Sequence, residues 1–511
     1  MVSRNIRSLS GSHSRYRRSA KVVNQGYGQH GANQNKNSLA GWTSRIGSAL
    51  EDIERNVPKL RERSRDLFVG SPLAAGALKT TRTNVIGAGL KLNAQIDYEY
   101  LGMTLGEADA WETKVEREFN LWAESIHCDA QRMNNFYELQ QLAFISWLMS
   151  GDCFAILPVI PRKNMPYDIR VQIIEADRIC TPSDKSFDNK IVNGVEIGDF
   201  GEVLAYHVTQ QHPHSIGLAK QDWKRIEKFG KETGRPNILH LMESERPEQR
   251  RGVPILAPVI ESLKQLARYS EAELMAAVVS GMFTVFIKSK TPDENQVGQA
   301  IHPDEQISEY DDGTYELGNG AIVALGEGEE VQESNPGRPN TAFDGFVTSI
   351  CRQIGSAIEI PYELLMKHFT ASYSASRAAL LEAWKMFKMR RTWMANDFCQ
   401  PIYEEFLAEG VAKGRIYAPG FFTDPIARKA YCTAEWNGPS QGQIDPLKEV
   451  NAAIKRVDNG FSTRQSETVE LNGGDFLRVV EEQLRREGGL VYDEQRDYQE
   501  ILEHGEERKE E

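Results

Sequence analysis

The chain has 511 residues, 40% of them hydrophobic and 26% charged, which are globular values with more chain than one ordinary core holds. Its formal charge of −13 is uneven: residues 1–50 hold eight of the 60 basic residues and no acid, leaving 52 basic against 73 acidic, a formal −21, in the remainder. An acidic body argues against tight DNA binding by phosphate neutralisation, and suits a surface that DNA passes without sticking.

Residues 1–45 read as a disordered basic tail rich in Ser, Gly, Asn and Gln. Its cluster Arg15-Tyr16-Arg17-Arg18 suits contact with nucleic acid or a scaffold, or plain solvation. From residue 50 to 92 the pattern is helical, closed by the turn Gly87-Ala88-Gly89-Leu90. Trp111, Val115, Phe119 and Trp122 recur at helical spacing, as do Phe136, Leu139, Leu142 and Ile145. Strand signals follow: an apolar run over 153–160, an alternation over 169–174, and a pair at 192–197 and 203–208 flanking Gly198-Asp199-Phe200-Gly201. Residues 46–254 are thus expected to form one α+β domain.

Arg251-Gly252-Val253-Pro254 opens a long helix over 255–281, roughly 40 Å at 1.5 Å per residue. Leu256, Val259, Ile260, Leu263, Leu266, Ala267 and Leu274 lie on its apolar stripe. Residues 282–288 turn strand-like, and the whole of 282–342 is polar and acidic. It carries Glu305, Glu309, Glu327, Glu329 and Glu330, with strand signals at 315–317 and 321–325. A second helix spans 343–358, with Phe343, Phe346, Val347, Ile350 and Ile354 on one face. A loop over 359–375, centred on Lys367-His368-Phe369-Thr370-Ala371-Ser372-Tyr373-Ser374, feeds a third helix capped by Ser374 or Ser376. Leu380, Trp384, Phe387, Met394 and Phe398 form that helix's core stripe, and Pro401 is expected to kink or end it. From residue 446 the chain is helical and charged, broken at Asn472-Gly473-Gly474 and frayed at its end.

The common enzyme signatures do not occur in the sequence. No G-x-x-x-x-G-K-[ST] occurs; Phe229-Gly230-Lys231-Glu232 lacks both the upstream glycine and the hydroxyl. Gly326-Glu327-Gly328 lacks the third glycine of a dinucleotide turn, and its acids would repel a pyrophosphate. Neither G-x-S-x-G nor H-E-x-x-H is present. His212-Pro213-His214 reads as an exposed loop rather than a metal site, and the Glu327, Glu329 and Glu330 cluster as a solvated strand edge. Cys128, Cys153, Cys180, Cys351, Cys399 and Cys432 are scattered without a CxxC, so idle thiols in a reducing compartment are expected. No apolar run approaches the ~18–20 residues of a membrane span, and no signal peptide is read at the basic N-terminus. No catalytic residue, metal or cofactor is assigned.

A set of short strings recurs in one order. Arg65-Asp66-Leu67-Phe68, Ala74-Ala75-Gly76-Ala77 and Asn84-Val85-Ile86-Gly87 come first. Glu175-Ala176-Asp177-Arg178-Ile179, Asn193-Gly194-Val195-Glu196, Leu239-His240 and Arg251-Gly252-Val253-Pro254 follow. Pro361-Tyr362-Glu363-Leu364-Leu365 and Ser372-Tyr373-Ser374-Ala375-Ser376-Arg377-Ala378-Ala379 flank the loop, and Trp436 with Ile444-Asp445-Pro446-Leu447-Lys448-Glu449-Val450 closes the series. Over roughly residues 60–477 the chain resembles the lambda-like portal proteins of tailed bacteriophages. The resemblance implies a ring, usually of twelve subunits, through which DNA enters and leaves the capsid. It implies a wing at 46–254, stem helices at 255–281 and 343–358, a clip at 282–342 and a tunnel loop at 359–375. It further implies a return through the wing at 376–440 and a C-terminal crown at 441–511. Lys367, His368, Phe369, Thr370, Ser372 and Tyr373 would then face the channel, and Glu305, Glu309, Glu327, Glu329 and Glu330 would offer a docking surface. The implied partners are the terminase large subunit, the major capsid and scaffold proteins, neck proteins and non-specifically passing double-stranded DNA. The implied place is the portal vertex of the virion, after assembly in the host cytoplasm. The competing readings are a packaging motor or nuclease subunit, and a non-ring head-completion, scaffold or adaptor protein.

Overall fold

The computed structural model describes residues 37–39, 41–44, 46–188, 190–215, 222–281, 285–289, 329–333, 342–369, 372–442, 445–474, 476, 479–480 and 483–484. The basic cluster at 15–18, the strand signals at 315–317 and 321–325, and Glu305, Glu309 and Glu327 lie outside these residues. The chain divides after Ser48 into two units. The first contributes a 3-10 turn, Asn37–Leu39, and everything below belongs to the second.

Helices α1 (Val57–Gly70) and α2 (Pro72–Val85) each carry proline at their start, where its missing N–H leaves no bond unmade. Ser71 separates them and caps α2 by accepting from the Ala74 N–H. Strand β1 (Lys91–Ala94) pairs antiparallel with β11 (Ala434–Asn437), Leu92 opposite Trp436, which ties the early chain to the late chain. Beyond the short α3 (Tyr98–Leu101), α4 (Leu105–Ala123) and α5 (Phe136–Ser150) both open with reciprocal capping boxes, Thr104 with Glu107 and Asn135 with Glu138. Trp111, Val115, Phe119 and Trp122 of α4 are all buried, as their spacing predicts. Leu142 of α5 is exposed instead, because α5 is apolar around most of its girth and its pattern cannot single out one face.

Strand β2 (Asp152–Ile156) lies between β3 (Gln172–Ile174) and β8 (Ile238–Met242), antiparallel to both. A second sheet is the meander β4 (Ile191–Val192), β5 (Val195–Ile197), β6 (Val203–Thr209) and β7 (Trp223–Glu227). The strand expected over 192–197 is therefore a hairpin. Asn193 (φ +48°) and Gly194 (φ +81°) reverse the chain inside it, the left-handed pair that a two-residue turn requires. In the core, the Phe119 ring meets Phe136, Tyr403, Phe406 and Trp436 edge-on at 5.2–5.9 Å.

The first long helix, α6 (Ile260–Gly281), starts later than its sequence stripe suggests. A helix from 255 would press the Pro258 ring onto the Pro254 carbonyl. That carbonyl accepts from the Ala257 N–H (2.9 Å), and a 3-10 turn, Ala257–Val259, precedes the helix. Leu263 and Leu266 are buried, but Leu274, placed on the same stripe, is 64% exposed along with Met275 and Val278. The distal half of α6 has left the core. It packs on α7 (Phe343–Ala357) through Tyr269, whose ring centre is 5.5 Å from Phe343 and 4.9 Å from Phe346. Between them, β9 (Val285–Ser289) pairs antiparallel with β10 (Glu329–Glu333), Ser289 opposite Glu329 and Lys288 opposite Glu330.

After α8 (Tyr362–Leu365), α9 (Tyr373–Met394) runs through a π-turn, Ala395–Cys399, into α10 (Gln400–Ala412). The wide turn changes the register just before Pro401, which then sits in the first turn of α10 and needs no N–H. Phe387 and Phe398 are in the core and Trp384 packs against it. Helices α11 (Pro425–Tyr431), α12 (Pro446–Asp458) and α13 (Arg464–Asn472) complete the described chain. Asn459 and Gly460 (φ +71°) break the C-terminal helix expected to run unbroken to Asn472. Among the described residues no helix is long and apolar enough to cross a membrane.

Candidate functional site

The loop between α7 and α9 is built by two backbone devices. At its start, the Ile360 N–H donates to the Gly355 carbonyl (2.9 Å), and a Cβ on Gly355 would lie 2.5 Å from the Ile360 carbonyl oxygen. Glu359 takes φ +60° to make that return, while Ile358 and Ile360 are buried and anchor it. At the end of α8, Lys367 takes φ +53° and the His368 N–H donates to the Glu363 carbonyl (3.0 Å), a left-handed helix stop. Phe369 is half-exposed. The Ser372 hydroxyl accepts from the Ala375 N–H (3.4 Å) and caps α9, so Tyr373 is helical. Of the six residues expected in the loop, Lys367, His368 and Phe369 are in it, Ser372 and Tyr373 open the next helix, and Thr370 lies outside the described residues. Three serines at alternate positions offer the same cap chemistry, so the sequence alone could not choose among them.

The loop is moored from behind. Arg390 of α9, 3% exposed, reaches back so that its Nη2 donates to Glu359 Oε2 at 3.0 Å. Burial lowers the Arg390 pKa, opposed by the Glu243 and Glu359 carboxylates, and burial raises that of Glu243.

Five of the sequence strings that carry the resemblance meet at one buried charge cluster. At its centre is Asp152, fully buried at the start of β2. Arg251 donates to it from Nε (2.5 Å) and Nη2 (3.3 Å), and Arg61 of α1 from Nη2 (3.1 Å). Arg251 also donates to the carbonyls of Ala176 (2.7 Å), Ile179 (2.9 Å) and Asn193 (2.7 Å). One side chain thus holds the 175–179 turn, the β4–β5 hairpin and β2 to the segment that leads into α6. Asp177 pairs with Arg61 (3.2 Å) and Arg65 (2.5 Å). His240 of β8 places Nε2 3.5 Å from Asp152 and stacks its ring on Phe154 at 4.1 Å. The Arg250 N–H donates to buried Glu54, whose carbonyl accepts from the Asn193 side chain (3.3 Å). Gly252 follows because nothing larger fits: a Cβ there would be 1.9 Å from the Gly151 carbonyl oxygen.

Burial alone would raise the Asp152 carboxyl, but the Arg251 and Arg61 guanidiniums overcome it and hold it far below the usual carboxylate range. Asp177 is likewise lowered, burial being outweighed by Arg61 and Arg65. Glu54 goes the other way, raised chiefly by burial, and His240 is lowered by burial. Asp152 and Asp177 stay ionised at neutral pH against their arginines, and the group acts as a clasp. Sequence reasoning missed it, although Asp152 at the mouth of an apolar run was a signal. A charge placed there is buried only with partners.

Elsewhere, Arg377 pairs with Glu449 of α12 (2.6 Å) and is read as an ion-pair residue. His207 meets Glu196 (3.1 Å), and His212 faces Glu175 and Asp177 at 3.9 and 3.8 Å. The six cysteines are free, and all but Cys180 are buried.

Residues 35–391 match the family described as phage portal protein, lambda family. The chain is 24% identical over 466 residues to the portal protein of Escherichia phage N15, covering 88% of this chain and 87% of that one. It is 24% identical over 465 residues to portal protein B of Escherichia phage lambda, covering 88% and 86%. Among solved structures, a chain in the neck of a native gene transfer agent particle, treated with C12 symmetry, aligns at a TM-score of 0.42 and 13% identity, over 82% of this chain and 94% of that one.

Proposed function

The chain belongs to the lambda family of phage portal proteins, and on that premise we propose that its copies close into a ring, of about twelve subunits as the resemblance implies, with α6 and α7 lining the DNA channel. The observation that carries this is the family match over 35–391, which spans α1 through most of α9 and so includes both long helices and the loop that follows α7. The exposed Leu274, Met275, Val278 and Phe346 support it. Apolar side chains on helices that have left the core are satisfied by the next subunit, and heterologous contacts of this kind close when the rotation closes.

In this reading the α7–α9 loop points into the channel, with Lys367, His368 and Phe369 as passing contacts to DNA. The formal −21 beyond residue 50 keeps the duplex from lodging at fixed phosphate sites. The acidic 282–342 segment, with Glu305, Glu309, Glu327, Glu329 and Glu330, is the docking end for the terminase and later the neck proteins. Helices α12 and α13 face the capsid interior. The chain assembles in the host cytoplasm with capsid and scaffold proteins and stays at the portal vertex.

The Arg251–Asp152 clasp then has a mechanical role, fixing the root of a channel helix to the α+β body. The loop assignment is tested by Lys367→Ala/His368→Ala in an assembly and packaging assay. Heads are expected to form with reduced DNA content; heads filled to the normal genome length would overturn it.

A further inference from the structure

Among the described residues, neither hydrophobic core contains one beyond Trp436. On α12 the buried residue is Ala453 and on α13 it is Glu467. The larger apolar side chains of α12, Leu447, Val450 and Ile454, are exposed. Helices of 13 and 9 residues with so little apolar burial are too short to hold their place by propensity alone.

Charge fixes them instead. Arg377 Nη1 of α9 lies 2.6 Å from Glu449 Oε1 of α12, and Lys388 Nζ, three turns further along α9, lies 2.8 Å from Glu470 Oε1 of α13. Arg456 and Glu467 (2.5 Å) join α12 to α13, so the two helices are held as one piece. Between this piece and α9 is a cleft of about 550 Å³. Trp384 and Arg391 line it. The Arg391 guanidinium there meets three backbone carbonyls, of Val85 (3.1 Å), Asn84 (3.0 Å) and Pro439 (2.9 Å), and the Trp384 ring at 5.1 Å.

We propose that α12 and α13 form a charge-latched flap over this basic cleft, closed by the Arg377–Glu449 and Lys388–Glu470 pairs and opened when duplex phosphates compete for those cations. A phosphate oxygen is an equivalent acceptor for guanidinium and ammonium, so the exchange costs little. Naming DNA as the competing polyanion rests on the portal reading; the latch itself rests on the geometry. Its strength must fall with salt, since part-exposed ion pairs are screened while apolar packing is not.

The test is hydrogen exchange by mass spectrometry on the full-length purified protein. Between low and high sodium chloride, amides in 446–472 are expected to exchange faster while those in 400–412, packed in the core, hold. Arg377→Glu is expected to speed exchange in 446–472 about two- to fivefold at low salt, the effect of losing one such pair. The swap Arg377→Glu/Glu449→Arg is expected to restore it. Short duplex DNA at low salt is expected to mimic high salt. Exchange in 446–472 that ignores both salt and Arg377→Glu overturns the latch, as does a swap no better than the single change. A salt response without a DNA response overturns the phosphate competition. These readouts do not depend on ring formation, so a protein that fails to form rings would overturn the portal reading while still reporting on the latch.

Discussion

Replacing Arg251 with methionine removes a side chain that is 3% exposed and makes five hydrogen bonds, two to Asp152 and three to backbone carbonyls. The loss leaves a fully buried carboxylate with Arg61 as its one remaining arginine, beside the Gly252 N–H (3.3 Å) and His240 (3.5 Å). Breaking a buried ion pair by removing one partner costs about 3–5 kcal/mol, much of it from the charge left behind. Each carbonyl stripped of its donor adds up to about 1 kcal/mol, though these losses overlap. Set against a stability of roughly 5–15 kcal/mol, this is a large fraction. The control is Arg246→Ala, which removes a half-exposed pair with Asp52 (2.9 Å) and is expected to cost no more than about 1 kcal/mol. Thermal and urea unfolding measure the totals. Hydrogen exchange over residues 251–266 locates the damage at the base of α6. Asp152→Asn combined with Arg251→Met is expected to fall short of the two single losses added together, by about 0.5–3 kcal/mol, since the charges leave together. If Arg251→Met behaves like Arg246→Ala, the clasp does not hold the helix root and the reasoning fails.

Gly252→Ala should destabilise by about 1–3 kcal/mol or prevent folding, because its Cβ meets the Gly151 carbonyl oxygen at 1.9 Å with the Met242 Cβ 3.1 Å away; soluble yield and melting temperature report it. Acid lability follows from Asp152 and Asp177, both lowered in the folded protein. Their contribution is complete above the unfolded value of about 4 and is lost as pH falls below it through the folded values. Raised Glu54 acts in the opposite sense, losing stability as pH rises through its folded value. The urea midpoint should therefore climb from pH 3 to 5, and Asp177→Asn should flatten that climb. The thiols should resist labelling in the native protein, with Cys128 and Cys432 pushed up to about 12 by burial and Cys180, the one left part-exposed, reacting first. Rapid modification of several cysteines by a maleimide would contradict the packing.

What the sequence made legible was what periodicity and local chemistry encode. The α4 stripe is buried residue for residue, and helices α6, α7 and α9 are present, with a loop between α7 and α9. The strings that carry the family resemblance were visible as strings, but not as a clasp. Arg61 and Asp152 are 91 residues apart and Asp152 and Arg251 99 apart, and no local pattern pairs them. The Asn193-Gly194 hairpin was marked by the family resemblance, whereas the strand pattern over 192–197 alone reads as one strand. The later start of α6 depends on the clash between Pro258 and the Pro254 carbonyl, a steric effect that a hydrophobic stripe does not record. Lys367 to Phe369 lie between helices α8 and α9, and where that segment ends depends on which of three serines caps α9. Among the acidic residues expected to dock partners, only the backbones of Glu329 and Glu330 are described, on β10.

The central claim is that this subunit works as part of a closed ring around DNA. Native mass spectrometry of the purified protein, with negative-stain images of the same sample, tests it most directly. The account predicts particles with a central hole and a mass near twelve times the 57.6 kDa chain. A compact monomer or dimer at every salt concentration tried would contradict it.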